Sequence, residues 1–115
     1  VSLFIAPDEM QVDAAARIGA DIIEIHTGHY AEMAHELTKT ADALNAICHA
    51  AMLATNLGME VHAGHGLNYI NVKPIAAIAD IRELNIGHFL MGEAMMVGME
   101  SAIRTRRTLM DEARA

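Results

Sequence analysis

The sequence has no tryptophan, and aromatic residues make up only 3% of the chain, although hydrophobic residues make up 53%. Its interior must therefore be built from Ala, Ile, Leu and Met, as in helix-rich α/β proteins. Cys48 is the single cysteine, which excludes an intrachain disulfide and fits a reducing compartment. Basic residues are scarce: 8 Lys and Arg stand against 15 Asp and Glu, for a formal net charge of −7. That balance argues against nucleic acid or an anionic membrane surface as the main partner. A small phosphorylated ligand stays open, because backbone N–H groups hold phosphate without a basic surface. No apolar run reaches the roughly 18 residues that a membrane-spanning helix needs. The opening residues do not follow the pattern of a secretory leader. A cytoplasmic protein with no membrane partner is expected.

The 115 residues are enough for one small domain with a real core. "VSLFIA" is apolar and β-prone, and Pro7 and Asp8 then open a helix. "EMQVDAAARIGA" carries apolar residues at Met10, Val12, Ala15 and Ile18 and stops at Gly19. "DIIEIHTG" reads as the second strand. A long helix is predicted from Ala31 to Asn56, with Leu37, Ala41, Leu44, Cys48 and Ala51 on its inner face and Gly58 as its stop. "MEVHAGHG" is the third strand. "NVKPIAAIADIREL" is a shorter helix, with Pro74 tolerated in its first turn. "IGHFLMG" is expected to be the fourth strand and "EAMMVGMESAIRTRRTLMDEARA" the last helix.

Regular strand–helix alternation with short connections implies parallel strands and right-handed crossovers. Residues 1–115 read as one unit without linkers or low-complexity segments. Two architectures accommodate four such units. One is a small open doubly wound sheet; the other is the C-terminal (βα)4 half of a (βα)8 barrel, whose full length is about 250 residues. Glu24 and His26 alternate with Ile23 and Ile25, so one strand face is polar. An open sheet buries both faces, which makes polar residues there costly. A barrel can aim them at its mouth. The barrel half is therefore expected, with Val1 starting in mid-strand of something longer.

Ligand sites in parallel α/β folds lie at the C-terminal ends of strands. "HTGHY", "AGHGL" and "LMGEA" are the expected ends here. His65 sits between Gly64 and Gly66. The glycines allow close backbone approach to a ligand, and imidazole suits proton transfer near neutral pH. The plain alternative is a turn histidine. Gly87 could offer its N–H to an anion; alternatively, it starts a strand and His88 is a core residue. Gly92 is expected to close the fourth strand before a helix N-terminus that could hold phosphate, but Glu93 would compete there. Glu24, His26, Thr27 and His29, with His62 and His65, could suggest a metal site. His-x-x-His on a strand does not put both rings on one face, however, and the helical zinc motif is missing. His35 and His49 read as surface or helix-packing residues, the nine methionines as core filler, and "RTRRT" as a solvated helix end.

Taken together, "VSLFIAPDEMQVDAAARIGADIIEIHTGHYA", "EVHAGHGLNYINV" and "ELNIGHFLMGEAMMVGM" resemble the PdxJ family of pyridoxine 5′-phosphate synthases over essentially the whole chain. "IEIHTG-x-Y-A", "AGHGLNY-x-N" and "LNIGH" match strands five to eight of that barrel. The resemblance implies a transferase-type synthase of vitamin B6 biosynthesis. Such an enzyme condenses 1-deoxy-D-xylulose 5-phosphate with 3-amino-2-oxopropyl phosphate to pyridoxine 5′-phosphate, phosphate and water. No cofactor and no metal are implied, and the full-length barrel forms homo-oligomers. His65 matches the catalytic proton donor. Gly66, Gly87 and His88 match positions that bind the aminoketone phosphate. The family's other catalytic His and Glu belong to the half not present here, so the chain alone is expected to be inactive. The alternative is a non-catalytic half-barrel that serves as an assembly module.

Overall fold

The computed structural model describes residues 2–33 and 36–115, apart from the side chains of Leu37, His88 and Phe89. Val1 and His35 lie outside the described residues. The elements run β1 (Ser2–Ile5), α1 (Glu9–Arg17), β2 (Ile22–His26), α2 (Gly28–Glu32), α3 (Leu37–Asn56), β3 (Glu60–Gly64), α4 (Val72–Ala76), β4 (Ile81–Asn85), α5 (His88–Val97) and α6 (Met99–Arg114). The four strands form one parallel sheet in sequential order, β1-β2-β3-β4.

That order follows from crossovers of one hand, each advancing the sheet by a strand. Strand alternation then sorts the side chains. Ile23, Ile25, Val61 and Ala63 are buried, and Leu3 and Ile5 pack against the same core. Val12 and Ala15 of α1, Ile47, Ala50, Ala51 and Ala54 of α3, and Ile75 of α4 cover them. On the other face Phe4, Glu24 and His62 lie in register, followed by Glu83. His26, Gly64 and Asn85 form the next row. Phe4, Glu83 and Asn85 are exposed there, and Glu24, His26 and His62 are half-buried. A doubly wound sheet reverses its strand order at a switch point and carries helices on both faces. Sequential order with one helix-covered face makes this an α/β fold compatible with half of a TIM barrel.

Several elements differ from their sequence reading. The fourth strand is "IRELN", not "IGHFLMG". A register irregularity between Val61 and His62 pairs Ile81 with Val61 and Glu83 with His62. Arg82 is thus an extra residue that breaks the period-two pattern and disguises the strand. α4 is correspondingly only five residues long. The apolar "HFLMG" is helical, and because α5 is apolar on all sides it shows no helical stripe. Gly92 and Glu93 therefore lie within α5, not at a strand end. Gly98, at φ 91°, divides the expected last helix into α5 and α6.

The long helix also divides, with α2 ending at Glu32 and α3 beginning at Leu37. The Thr40 hydroxyl donates to the Met33 carbonyl, giving the end of α2 a partner that a continuous helix would not supply. α3 buries Ala43, Ile47, Ala50, Ala51 and Ala54, while Ala41 is exposed and Leu44 and Cys48 are half-buried. So many alanines leave neighbouring stripes nearly equal in hydrophobicity. Methionine is not general core filler. Among the described residues Met59 alone is buried, whereas Met91, Met95, Met96 and Met99 are exposed around α5. Within "RTRRT", Arg106 is 4% exposed, with its guanidinium carbon 5.3 Å from the centre of the Tyr69 ring. Arg104 and Arg107 do form the expected solvated end, paired with Glu100 and Asp111.

Candidate active site

The C-terminal edge of the sheet forms the site. After β3 the chain turns through His65 at φ 91° and Gly66 at φ 76°. Positive φ is the province of glycine, so His65 is strained unless its surroundings hold it. Those surroundings are specific. The Thr27 amide donates to the Gly64 carbonyl at 2.8 Å, and the Thr27 hydroxyl donates to the His65 carbonyl at 2.6 Å. The Asn71 amide group donates to the Gly66 carbonyl at 3.1 Å. Asn71 is itself tied to Asn68: its Oδ1 accepts from the Asn68 amide at 2.7 Å, and its own amide donates to the Asn68 Oδ1 at 2.9 Å. The buried Tyr30 hydroxyl donates to the Asn71 carbonyl at 2.8 Å. Burial pushes that phenol's pKa up. The turn that carries His65 is thus pinned from the junction of β2 and α2, from α2 and from its own loop.

Gly64 is required by packing. A Cβ there would lie 2.6 Å from the Glu24 carboxylate and 2.7 Å from the Asn85 carbonyl oxygen. The missing side chain lets Glu24 turn toward the end of the sheet. The His65 ring stacks on His26, with centroids 4.5 Å apart and planes 24° from parallel. Phe4 meets His26 edge-on at 5.0 Å. The Gly28 amide donates to His26 Nδ1 at 3.2 Å, which puts the neutral ring's proton on Nε2.

These groups open onto a cavity of about 640 Å³, lined by His65, Gly66, Gly87, Glu24, Asn68 and Asn85 among others. That is the size range of small-molecule sites. Gly87 is the N-cap of α5, and no acidic residue occupies the first turn. The positive end of a ten-residue helix therefore faces the cavity, where an anion would be favoured. Glu93 lies in the second turn, so the competition expected at a helix N-terminus is removed. Of the predicted site residues, His65, Gly66 and Gly87 come together. His88 begins α5, but its side chain lies outside the described residues.

The remaining histidines go elsewhere. His62 Nε2 is 2.8 Å from the Glu60 carboxylate and 3.9 Å from that of Glu83. His29 is exposed on α2, and His49 is exposed, 3.8 Å from Glu9. Among the described residues, no three His, Cys, Asp or Glu side chains gather closely enough to hold a metal ion. Asn68 and Asn85 were missed as lining residues. Asn85 ends the disguised fourth strand, and Asn68 was legible only as part of a motif.

The sequence matches the family model described as pyridoxal phosphate biosynthesis protein PdxJ over residues 1–112. It is 57% identical over 115 residues to pyridoxine 5′-phosphate synthase of Zymomonas mobilis, covering 100% of this chain and 44% of that protein. It is 53% identical over 116 residues to the Caulobacter sp. strain K31 synthase, covering 99% of this chain and 46% of the relative. The Ruegeria pomeroyi synthase is 52% identical over 118 residues, with 100% and 47% covered. The chain thus spans less than half the length of these relatives. No described helix is long and apolar enough to cross a membrane. A family match over nearly every residue, joined to a glycine-flanked histidine on the strand-end cavity, settles the assignment: the chain belongs to the PdxJ family of pyridoxal phosphate biosynthesis proteins.

Proposed function

We propose that this chain supplies strands five to eight of a pyridoxine 5′-phosphate synthase barrel. The complete barrel condenses 1-deoxy-D-xylulose 5-phosphate with 3-amino-2-oxopropyl phosphate, closing a pyridine ring and releasing phosphate and water. One observation carries this reading: His65, Gly66, Gly87 and Glu24 share a single cavity at the C-terminal end of the strands. Ring closure requires protons to be delivered to departing oxygens. An exposed imidazole on a rigid turn can deliver them near neutral pH. Gly66 leaves room for the aminoketone phosphate against the backbone, and Gly87 and His88 at the start of α5 hold its phosphate. The Glu24 carboxylate suits the substrate's amino group. The enzyme works in the cytoplasm as a homo-oligomer. The chain alone is inactive, because the other half of the acid–base groups lies on strands one to four.

The test is a synthase assay on the chain alone and after mixing with an N-terminal half from a relative. Turnover is expected only in the mixture, with His65→Asn lowering kcat by about 10²–10⁴-fold. Near-normal turnover by the chain alone overturns the half-site reading. A mixture that binds but does not turn over overturns the synthase reading. The second reading, a non-catalytic self-pairing half-barrel, draws on the exposed methionines of α5 and the outer edges of β1 and β4. A discrete dimer mass in light scattering, with no activity in the mixture, favours it.

A further inference from the structure

We propose that His26, Thr27 and Gly28 act together as a clamp that positions His65, each residue holding a different part of it. The proposal deepens the synthase reading and rests on His65 as its proton carrier. Thr27 holds the backbone. It is fully buried, and its amide and hydroxyl donate to the consecutive carbonyls of Gly64 and His65 at 2.8 and 2.6 Å. These bonds bracket the residue whose φ is 91°, a conformation that persists only where neighbours over-determine it. A hydroxyl donor there is also specific: valine has the same shape and no proton to give.

His26 holds the ring. Its imidazole lies against the His65 imidazole at 4.5 Å and is backed by Phe4 at 5.0 Å. Its own rotation is fixed by the Gly28 amide, which donates to Nδ1 at 3.2 Å. Gly28 supplies clearance. A Cβ at position 28 would sit 2.3 Å from His26 Cε1 and 2.8 Å from His65 Cδ2. The His26 ring is held by the Gly28 amide and Phe4, so alanine there pushes the His65 ring off the stack. Three adjacent residues at the junction of β2 and α2 thus act on a residue 37 to 39 positions later, leaving the outer face of the His65 ring to the cavity. A ring held in one orientation delivers its proton along one line, which is what general acid catalysis needs.

The test is NMR of the 115-residue chain labelled in histidine, and it needs no catalytic turnover. Wild-type protein is expected to show ring-to-ring Overhauser effects between His26 and His65 and an upfield-shifted His65 ring. Thr27→Val, His26→Asn and Gly28→Ala should each lose that shift. Thr27→Ser, which keeps the hydroxyl, and His26→Phe, which keeps a stacking ring, should retain it. The Ile23 amide resonance, in the core, reports whether each variant is folded. Should Thr27→Val unfold, the His26→Asn and His26→Phe pair decides. Unchanged His65 resonances in folded His26→Asn and Thr27→Val overturn the clamp and leave the synthase reading intact. Loss of the synthase reading in the mixing assay leaves these resonances where they are, so the two failures are distinct.

Discussion

At the scale of single residues, His65 trades stability for placement. A non-glycine residue at positive φ costs on the order of 1–3 kcal/mol. Replacing His65 by glycine removes that cost and gives up the stack with His26 and the imidazole proposed as proton donor. The variant is expected to gain about 1 kcal/mol in urea unfolding while lowering kcat of the mixture with an N-terminal half at least as far as His65→Asn does, the usual trade at a strained site. Tyr30 provides a pH-dependent check on the same turn. Burial favours the neutral phenol, so the folded chain keeps this proton to a higher pH than the unfolded chain. Above the unfolded value near 10 the unfolded state binds fewer protons, and stability falls as pH rises. In Tyr30→Phe this slope should be smaller, and stability at neutral pH lower by about 1–2 kcal/mol, because the Asn71 carbonyl loses its donor. Unfolding titrations at neutral pH and above pH 10 measure both. His65 was legible in the sequence as a strand-end histidine, either proton carrier or turn residue, while Gly66 and the substrate-binding reading of Gly87 came through the family resemblance. Thr27's grip on His65 was not legible, because it joins residues 38 apart, and no local pattern encodes such a contact.

At the scale of elements, the legible ones carry punctuation. α1 begins at Asp8, whose carboxylate accepts from the Met10 amide at 3.1 Å. Asp8→Ala should cost about 1 kcal/mol, read as a lower thermal midpoint. α3 stops before Gly58 with φ 86°, as its glycine signal predicted, and β1, β2 and β3 fall within the stretches read as strands. The fourth strand was illegible for a physical reason. Its register irregularity inserts Arg82 between Ile81 and Glu83, so the pattern offers two charged residues in succession where a strand should alternate. α5 hid in the opposite way: uniform hydrophobicity carries no period. An element apolar on all sides is normally buried, yet Met95 and Met96 are 88% and 84% exposed.

At the scale of the whole molecule, that exposure joins the outer edges of β1 and β4, which pair with no further strand among the described residues. Open edges and apolar patches drive association. The isolated chain is expected to show a light-scattering mass that rises with concentration. The double substitution Met95→Glu with Met96→Glu should lower that mass without changing the circular dichroism spectrum. A mass unmoved by the substitutions would place the association at the strand edges instead. The bare sheet face has a further consequence. Glu24, Glu60 and Glu83 all lie on it, with His62 among them. In water these carboxylates are solvated at no cost. Once another sheet closes over them, each ion loses several kcal/mol of hydration unless it gains a counter-ion. A closing surface that places arginine or lysine opposite these glutamates offsets that loss, so charge discriminates among complements before any side-chain packing is tried.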